Sequence, residues 1–150
     1  MMKMGEEFKR RFEGVEINKN SYYRGIRDCN WISSCLCFSC TIGICKEEST
    51  FYNVRLLYYN RFFLLLKNQD YTICVGKEFL KPEDKVLIID DFLAMGNAVL
   101  GLKELVEMAG AQVMGAGIAV TKGFQGGEKM LQEQGIRVES LAVVDSLENG

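Results

Sequence analysis

VLIIDDFLAMGNAVLG, residues 86–101, carries the pattern that decides the fold. Four apolar residues, Val86 to Ile89, run without a polar interruption, which predicts a strand buried on both faces. Two adjacent carboxylates, Asp90 and Asp91, end the run, and a short loop containing Gly96 follows. From Ala98 to Ala109 the spacing turns helical, with Leu102, Leu105, Val106 and Ala109 on one face and Gly110 beyond. Strand, loop and helix in that order belong to a parallel sheet covered by helices. In such sheets ligands bind beyond the carboxyl ends of the strands, near a topological switch point. Asp90 and Asp91 are expected to stand at such an end.

The chemistry of that stretch is specific. Two carboxylates can accept hydrogen bonds from a vicinal diol, such as the 2′- and 3′-hydroxyls of a ribose. They also suit Mg²⁺, which prefers oxygen donors. The loop after them leads into a helix N-terminus, where outward N–H groups and the macrodipole favour an anion. Gly96 allows a tight turn and close approach of backbone to phosphate. Diol-binding acids beside a phosphate-binding loop describe a site for a ribose 5-phosphate. A bare Asp-Asp pair would more simply cap a segment and face solvent. The buried run before it and the glycine loop and helix after it favour the site.

Outward from this stretch the periodicity continues. Tyr71 to Val75 reads as a short strand and Val113 to Val120 as another, in which Gly115 and Gly117 permit close packing or contact with a ligand. Gly127 to Gln134 reads as a helix stopped by Gly135, and Val138 to Val144 as the last strand. At the start, Met1, Met4, Phe8 and Phe12 recur at near-helical spacing until Gly14, and Val15-Glu16-Ile17 is extended.

Composition limits the function classes. The chain has 150 residues, a net charge of −2, one proline and no histidine. That balance gives general nucleic-acid binding no electrostatic support. Trp31 to Cys45 is too short and too rich in Ser and Thr to span a membrane. Met1 opens a charged, helix-like segment rather than a secretory signal, so a cytoplasmic location with reduced thiols is expected.

At residues 86–98 the sequence resembles the type I phosphoribosyltransferases, whose signature is an apolar strand, two acids and a short loop for the 5-phosphate of phosphoribosyl pyrophosphate (PRPP). VLIIDDFLAMGNA is most similar to the xanthine phosphoribosyltransferase branch. The likeness continues through GLKELVEMAGAQVMGAGIAVTKGFQGGEKMLQEQGIRVESLA and includes residues 1–19, about two-thirds of the chain. The resemblance implies an α/β fold with a central, mainly parallel sheet flanked by helices. It implies one domain over residues 1–150, with 1–19 and 67–150 family-like and the N-terminal hood truncated. It implies an enzyme of purine salvage that joins PRPP to xanthine or guanine, giving XMP or GMP and pyrophosphate. Asp90 and Asp91 would then bind the ribose hydroxyls and indirectly support Mg²⁺, and Ala94, Met95, Gly96, Asn97 and Ala98 would wrap the 5-phosphate. Lys122, in AVTKGF, would contact the oxygen-bearing edge of the purine, where an ammonium donor meets an acceptor. Phe124 would stack on the base. Alone, Lys122 reads as a solvated lysine at a strand end, and Phe124 as a core residue as readily as a stacking one. Met95 departs from the wider class, where a hydroxyl residue often touches phosphate, and backbone donors would compensate. A homodimer is also implied. A PRPP-sensing regulator of the same fold is the alternative, although no DNA-binding signal accompanies it.

Residues 20–66 break the pattern. They show no sustained period of 2 or 3.6, and Cys29, Cys35, Cys37, Cys40 and Cys45 crowd into seventeen positions. The family's pyrophosphate loop, of Glu-Ala-Ser-Gly type, and its lysine-rich flexible loop are not written there. The genetic code offers a reason. Asn20 to Cys29 can be encoded AAT TCT TAC TAT AGA GGC ATC AGG GAT TGC, and dropping the first base yields ILTIEASGI. Cys45 to Val54, encoded TGC AAA GAA GAA AGC ACC TTC TAC AAT GTC, yields AKKKAPSTM under the same shift. Both missing motifs emerge in order and in one frame. The segment therefore reads as a frameshifted one, and the chain as a damaged enzyme with little or no turnover. The coding DNA is the check: no family motif in the neighbouring frame would sink the idea. The rival is a Cys-rich metal insert, since Cys35-x-Cys37-x₂-Cys40 could seat Zn²⁺ or an iron–sulfur cluster. It lacks a paired CxxC knuckle and any histidine.

Overall fold

The structure is a computed structural model and describes residues 2–22, 41–43, 57–64, 69–77 and 80–146. The five clustered cysteines, and the positions where the frame-shifted reading puts most of the two missing loops, lie outside the described residues. The described elements run α1 (Met2–Arg11), β1 (Lys19–Tyr22), β2 (Thr41–Gly43), β3 (Leu57–Leu64), β4 (Gln69–Gly76), β5 (Lys85–Leu93), α2 (Asn97–Met108), β6 (Gln112–Lys122), a 3₁₀ turn (Gly123–Gln125), α3 (Gly127–Glu133) and β7 (Val138–Val144). Five strands form one sheet in the order β2-β1-β5-β6-β7, and every pairing in it is parallel. The order reverses between β1 and β5, so the switch point lies between these neighbours.

The strand β5 is buried on both faces, and the period of two explains how. Val86 and Ile88 join Leu102, Leu105, Val106, Ile118 and Leu131 in a core under α2 and α3. Leu87 and Ile89 point the other way, into a smaller core with Phe8 of α1 and Phe12 just beyond its end. The sheet is thus a middle layer between helices, as the uninterrupted apolar run requires.

Two glycines of β6 let α1 lie close. A Cβ on Gly117 would stand 2.9 Å from Phe8 and 3.0 Å from Ile89, and one on Gly115 would stand 2.6 Å from Phe12. Of the two uses the sequence left open for these glycines, close packing is the one realised. Polar contacts lock the helix down. The Arg11 guanidinium donates to the Ser140 carbonyl at 2.6 Å, and Arg137 donates to the Arg11 carbonyl at 2.8 Å. The Arg137 guanidinium also lies 4.9 Å from the centre of the Phe12 ring.

The helix ends follow their glycines. Gly110, at φ 78°, donates to the Glu107 carbonyl, and Ala111 donates to that of Val106. This is the Schellman arrangement, which satisfies carbonyls the last turn leaves open. Gly135 and Ile136 repeat it on Gln132 and Leu131 at the end of α3. At the start of β5, buried Asp84 accepts from the Lys81 amide at 2.7 Å and the Lys19 ammonium at 2.6 Å. Its carbonyl accepts from the Gln112 amide, so one residue ties β1, β5 and β6 at their amino ends.

Three expectations change. The strand carrying the acids does not stop at Ile89 but continues through Asp90 and Asp91 to Leu93. The reason is its neighbour: β6 runs alongside, pairing Asp90 with Ile118 and Leu93 with Thr121, so backbone pairing outlasts the apolar run. Residues 20–66, which show no strand period, nevertheless contribute β1, β2 and β3. The strand at 71–75 extends to Gln69–Gly76 and lies outside the main sheet, paired antiparallel with β3.

Candidate functional site

Asp90 and Asp91 sit in the second half of β5, one and two residues past Ile89, which pairs with the final residue of β1, Tyr22. They therefore occupy the carboxyl edge of the sheet at the switch point, as the sequence suggests. Their surroundings differ sharply. Asp90 is buried, whereas Asp91 is exposed to solvent. Asp90 Oδ1 accepts the Asp91 amide at 2.9 Å. Burial, together with the neighbouring charge of Asp91, pushes the Asp90 carboxyl up to about 8 from its ordinary 3.8. At neutral pH Asp90 therefore keeps its proton, and the pair offers both a donor and acceptors to a ligand hydroxyl.

The loop Ala94–Gly96 follows directly and ends in α2. Gly96 caps that helix at φ 84°, a left-handed conformation that side chains resist, and it supplies no side-chain cap. The first turn of a helix leaves N–H groups without intrahelical acceptors. Gly96 is buried, Ala94, Asn97 and Ala98 are partly buried, and Met95 is 44% exposed. The loop packs from behind against Met130 and Leu131, while its Met95 side chain stands in solvent.

Lys122 closes β6 at the same edge. Its ammonium lies 4.7 Å from the centre of the Phe92 ring, within cation–π range. The structure thus brings the lysine of β6 to the residue next to the acid pair on β5. Phe124 follows in the 3₁₀ turn and is 46% exposed, so it is not a core residue. Phe92 was missed by sequence reasoning. Its ring is 44% exposed beside the two acids, and it acquires its place in the site only from the ammonium on β6. Among the described residues, no helix is long and apolar enough to cross a membrane.

No family profile matches the chain. Similar proteins nonetheless align with nearly all of it. Xanthine phosphoribosyltransferase 2 of Clostridium botulinum is 40% identical over 148 residues, 97% of this chain and 77% of that protein. Xanthine phosphoribosyltransferase of Clostridium novyi is 41% identical over 150 residues, 98% of this chain and 77% of that protein. The protein of that name in Latilactobacillus sakei is 39% identical, covering 100% of this chain and 77% of its own length. Among solved structures, adenine phosphoribosyltransferase from Thermoanaerobacter pseudethanolicus superposes with a TM-score of 0.77 at 17% identity, covering 95% of this chain and 79% of that one. The Giardia lamblia enzyme complexed with 9-deazaadenine gives 0.77 at 22% identity, covering 95% and 78%. At such identities the structural likeness is one of fold.

Proposed function

Because the chain belongs to the xanthine phosphoribosyltransferase family and has the type I phosphoribosyltransferase fold, we propose that its site takes PRPP and a 6-oxopurine, xanthine first and guanine second. The reaction forms a bond from N9 of the base to C1 of the ribose and breaks the bond from C1 to pyrophosphate, giving XMP or GMP. The observation that carries this reading is the Asp90–Asp91 pair at the switch point, followed at once by a glycine-capped helix N-terminus. Residues 1–150 act as one domain in this reading.

Each residue has a task. Asp90 and Asp91 hold the 2′- and 3′-hydroxyls and so fix the ring whose C1 reacts. Ala94 to Ala98 hold the 5-phosphate through backbone N–H groups, so Met95 in place of a hydroxyl residue is tolerated. Lys122 donates to the oxygen edge of the base, and the half-exposed Phe124 ring covers the face. Catalysis of this kind is mostly positioning and electrostatic stabilisation of a ribose with oxocarbenium character. No covalent nucleophile is required, so a chain without histidine suffices. Exposed Asp91 offers oxygen donors of the kind Mg²⁺ prefers and, with Asp90 beside it, would support the ion indirectly, through water or the ribose hydroxyls. When bound with PRPP it would neutralise charge on the departing pyrophosphate. A homodimer in the cytoplasm is the assembly the family resemblance favours.

The test is an assay of the purified chain for PRPP-dependent XMP and GMP. Product upholds the reading and means that residues 20–66 as written serve the reaction. PRPP binding without product favours a regulator, a weaker reading because the similar proteins are named as transferases. Neither binding nor product leaves a damaged member of the family. Lys122→Gln is expected to weaken XMP binding roughly 10- to 100-fold, the range for losing one hydrogen bond from a charged donor. Ribose 5-phosphate, which lacks the base, should bind as before. Equal losses for both ligands, read by titration calorimetry, would remove Lys122 from the base site.

A further inference from the structure

Gly127 is the first residue of α3, in ordinary helical conformation rather than the left-handed region. Alanine is favoured over glycine inside helices by about 1 kcal/mol, so conformation does not explain the glycine. Space does. A Cβ at Gly127 would collide with the carbonyl oxygen of Ala94 and stand 3.0 Å from the carbonyl carbons of Ala94 and Met95. All three are backbone atoms, which cannot swing aside as a side-chain end can. The contact is matched from the other side. A Cβ on Gly96 would meet Met130 Cε at 2.7 Å, Leu131 Cγ at 3.3 Å and the Gly127 carbonyl oxygen at 3.4 Å. Loop 94–96 and the first turns of α3 therefore interlock, backbone against backbone.

We propose that Gly127 is a positioning residue: its bare backbone sets where the Ala94–Gly96 loop stands, and hence where the 5-phosphate of a ligand is held. The inference rests on reading that loop as the phosphate loop. It also explains how the two ends of the site keep their spacing. Only Gly123 to Gly126 separate Lys122, the last residue of β6, from α3, so four residues join the base-side lysine to the helix that seats the loop.

Gly126 supplies the control. It has φ 71°, so alanine there is strained, but nothing lies within 4 Å of its Cβ position. Gly126→Ala should lose stability without moving the loop. The experiment compares Gly127→Ala with Gly126→Ala in the full chain. Amide chemical shifts of residues 94–97 are recorded, and ribose 5-phosphate is titrated as the probe. Gly127→Ala is expected to shift the loop amides and weaken ribose 5-phosphate at least 10-fold. Gly126→Ala should leave both near native. Native loop shifts in folded Gly127→Ala would overturn the proposal. If that variant does not fold, hydrogen exchange on the native chain decides: loop and α3 amides opening together support the interlock, and independent opening refutes it. Failure of the native chain to bind ribose 5-phosphate would refute the phosphate-site reading, while the loop shifts would still report on Gly127.

Discussion

Replacing Asp90 with asparagine is expected to make the protein more stable in alkaline solution and to weaken its affinity for ribose phosphates. The carboxyl is buried and held up to about 8, chiefly by burial and then by the charge of Asp91. Between about pH 4 and pH 8 the folded chain therefore binds more protons at this site than the unfolded chain does. The stability this brings is complete below the ordinary carboxyl range and is lost as pH rises through about 8. Asparagine has nearly the same shape and never ionises. The native protein and Asp90→Asn should thus be equally stable at about pH 3, below the ordinary carboxyl range. At pH 9 the variant should be ahead by about 2–5 kcal/mol, discounted from the full shift because the neighbouring Asp91 is exposed. Urea denaturation at a series of pH values measures this, and parallel profiles for the two proteins would refute it. Affinity moves the other way. The amide still donates and accepts but can never become the acceptor-only carboxylate that takes hydrogen bonds from both ribose hydroxyls, and ribose 5-phosphate binding should fall at least 10-fold, the cost of one such hydrogen bond. A residue that weakens the fold above neutrality yet is needed for binding is the signature of a site rather than of a core.

Much of this was legible because the signals are local. The helix α2 ends where Gly110 follows an apolar face, and α3 ends at Gly135, because left-handed glycines close both last turns. The strand at Val138–Val144 matched to the residue. What stayed hidden depends on distant partners. The polar segment KNSY of β1 has no apolar alternation, and only its pairing with β5 on one side and β2 on the other makes it a strand. Its place is informative all the same, since it coincides with the start of ILTI in the neighbouring reading frame. The acid pair and the loop were legible because they are contiguous in sequence. Phe92 and Gly127 were not, because one acquires its meaning from an ammonium on β6 and the other from a carbonyl thirty-three residues earlier.

The same dependence on distant partners gives the largest expected loss of stability. Phe8 is 1% exposed and packs through Gly117 onto the face of Leu87 and Ile89. Phe8→Ala should cost about 3–5 kcal/mol, since the ring is removed and the rigid sheet beneath cannot collapse into the space. Denaturant titration with α1 and β6 probed separately would also show whether α1 leaves first. Gly117→Ala alone should cost about 1–3 kcal/mol, because its methyl meets Phe8 and Ile89 at 3.0 Å or less. In the Phe8→Ala background the same methyl enters space the ring has vacated. The two losses should then fail to add, and the double variant should be no less stable than Phe8→Ala alone, a coupling of about 1–3 kcal/mol. Additive losses would mean that α1 does not rest on Gly117. The bare backbone at that position would then have to be explained from the sheet's own geometry, and the second face of β5 would lose its cover.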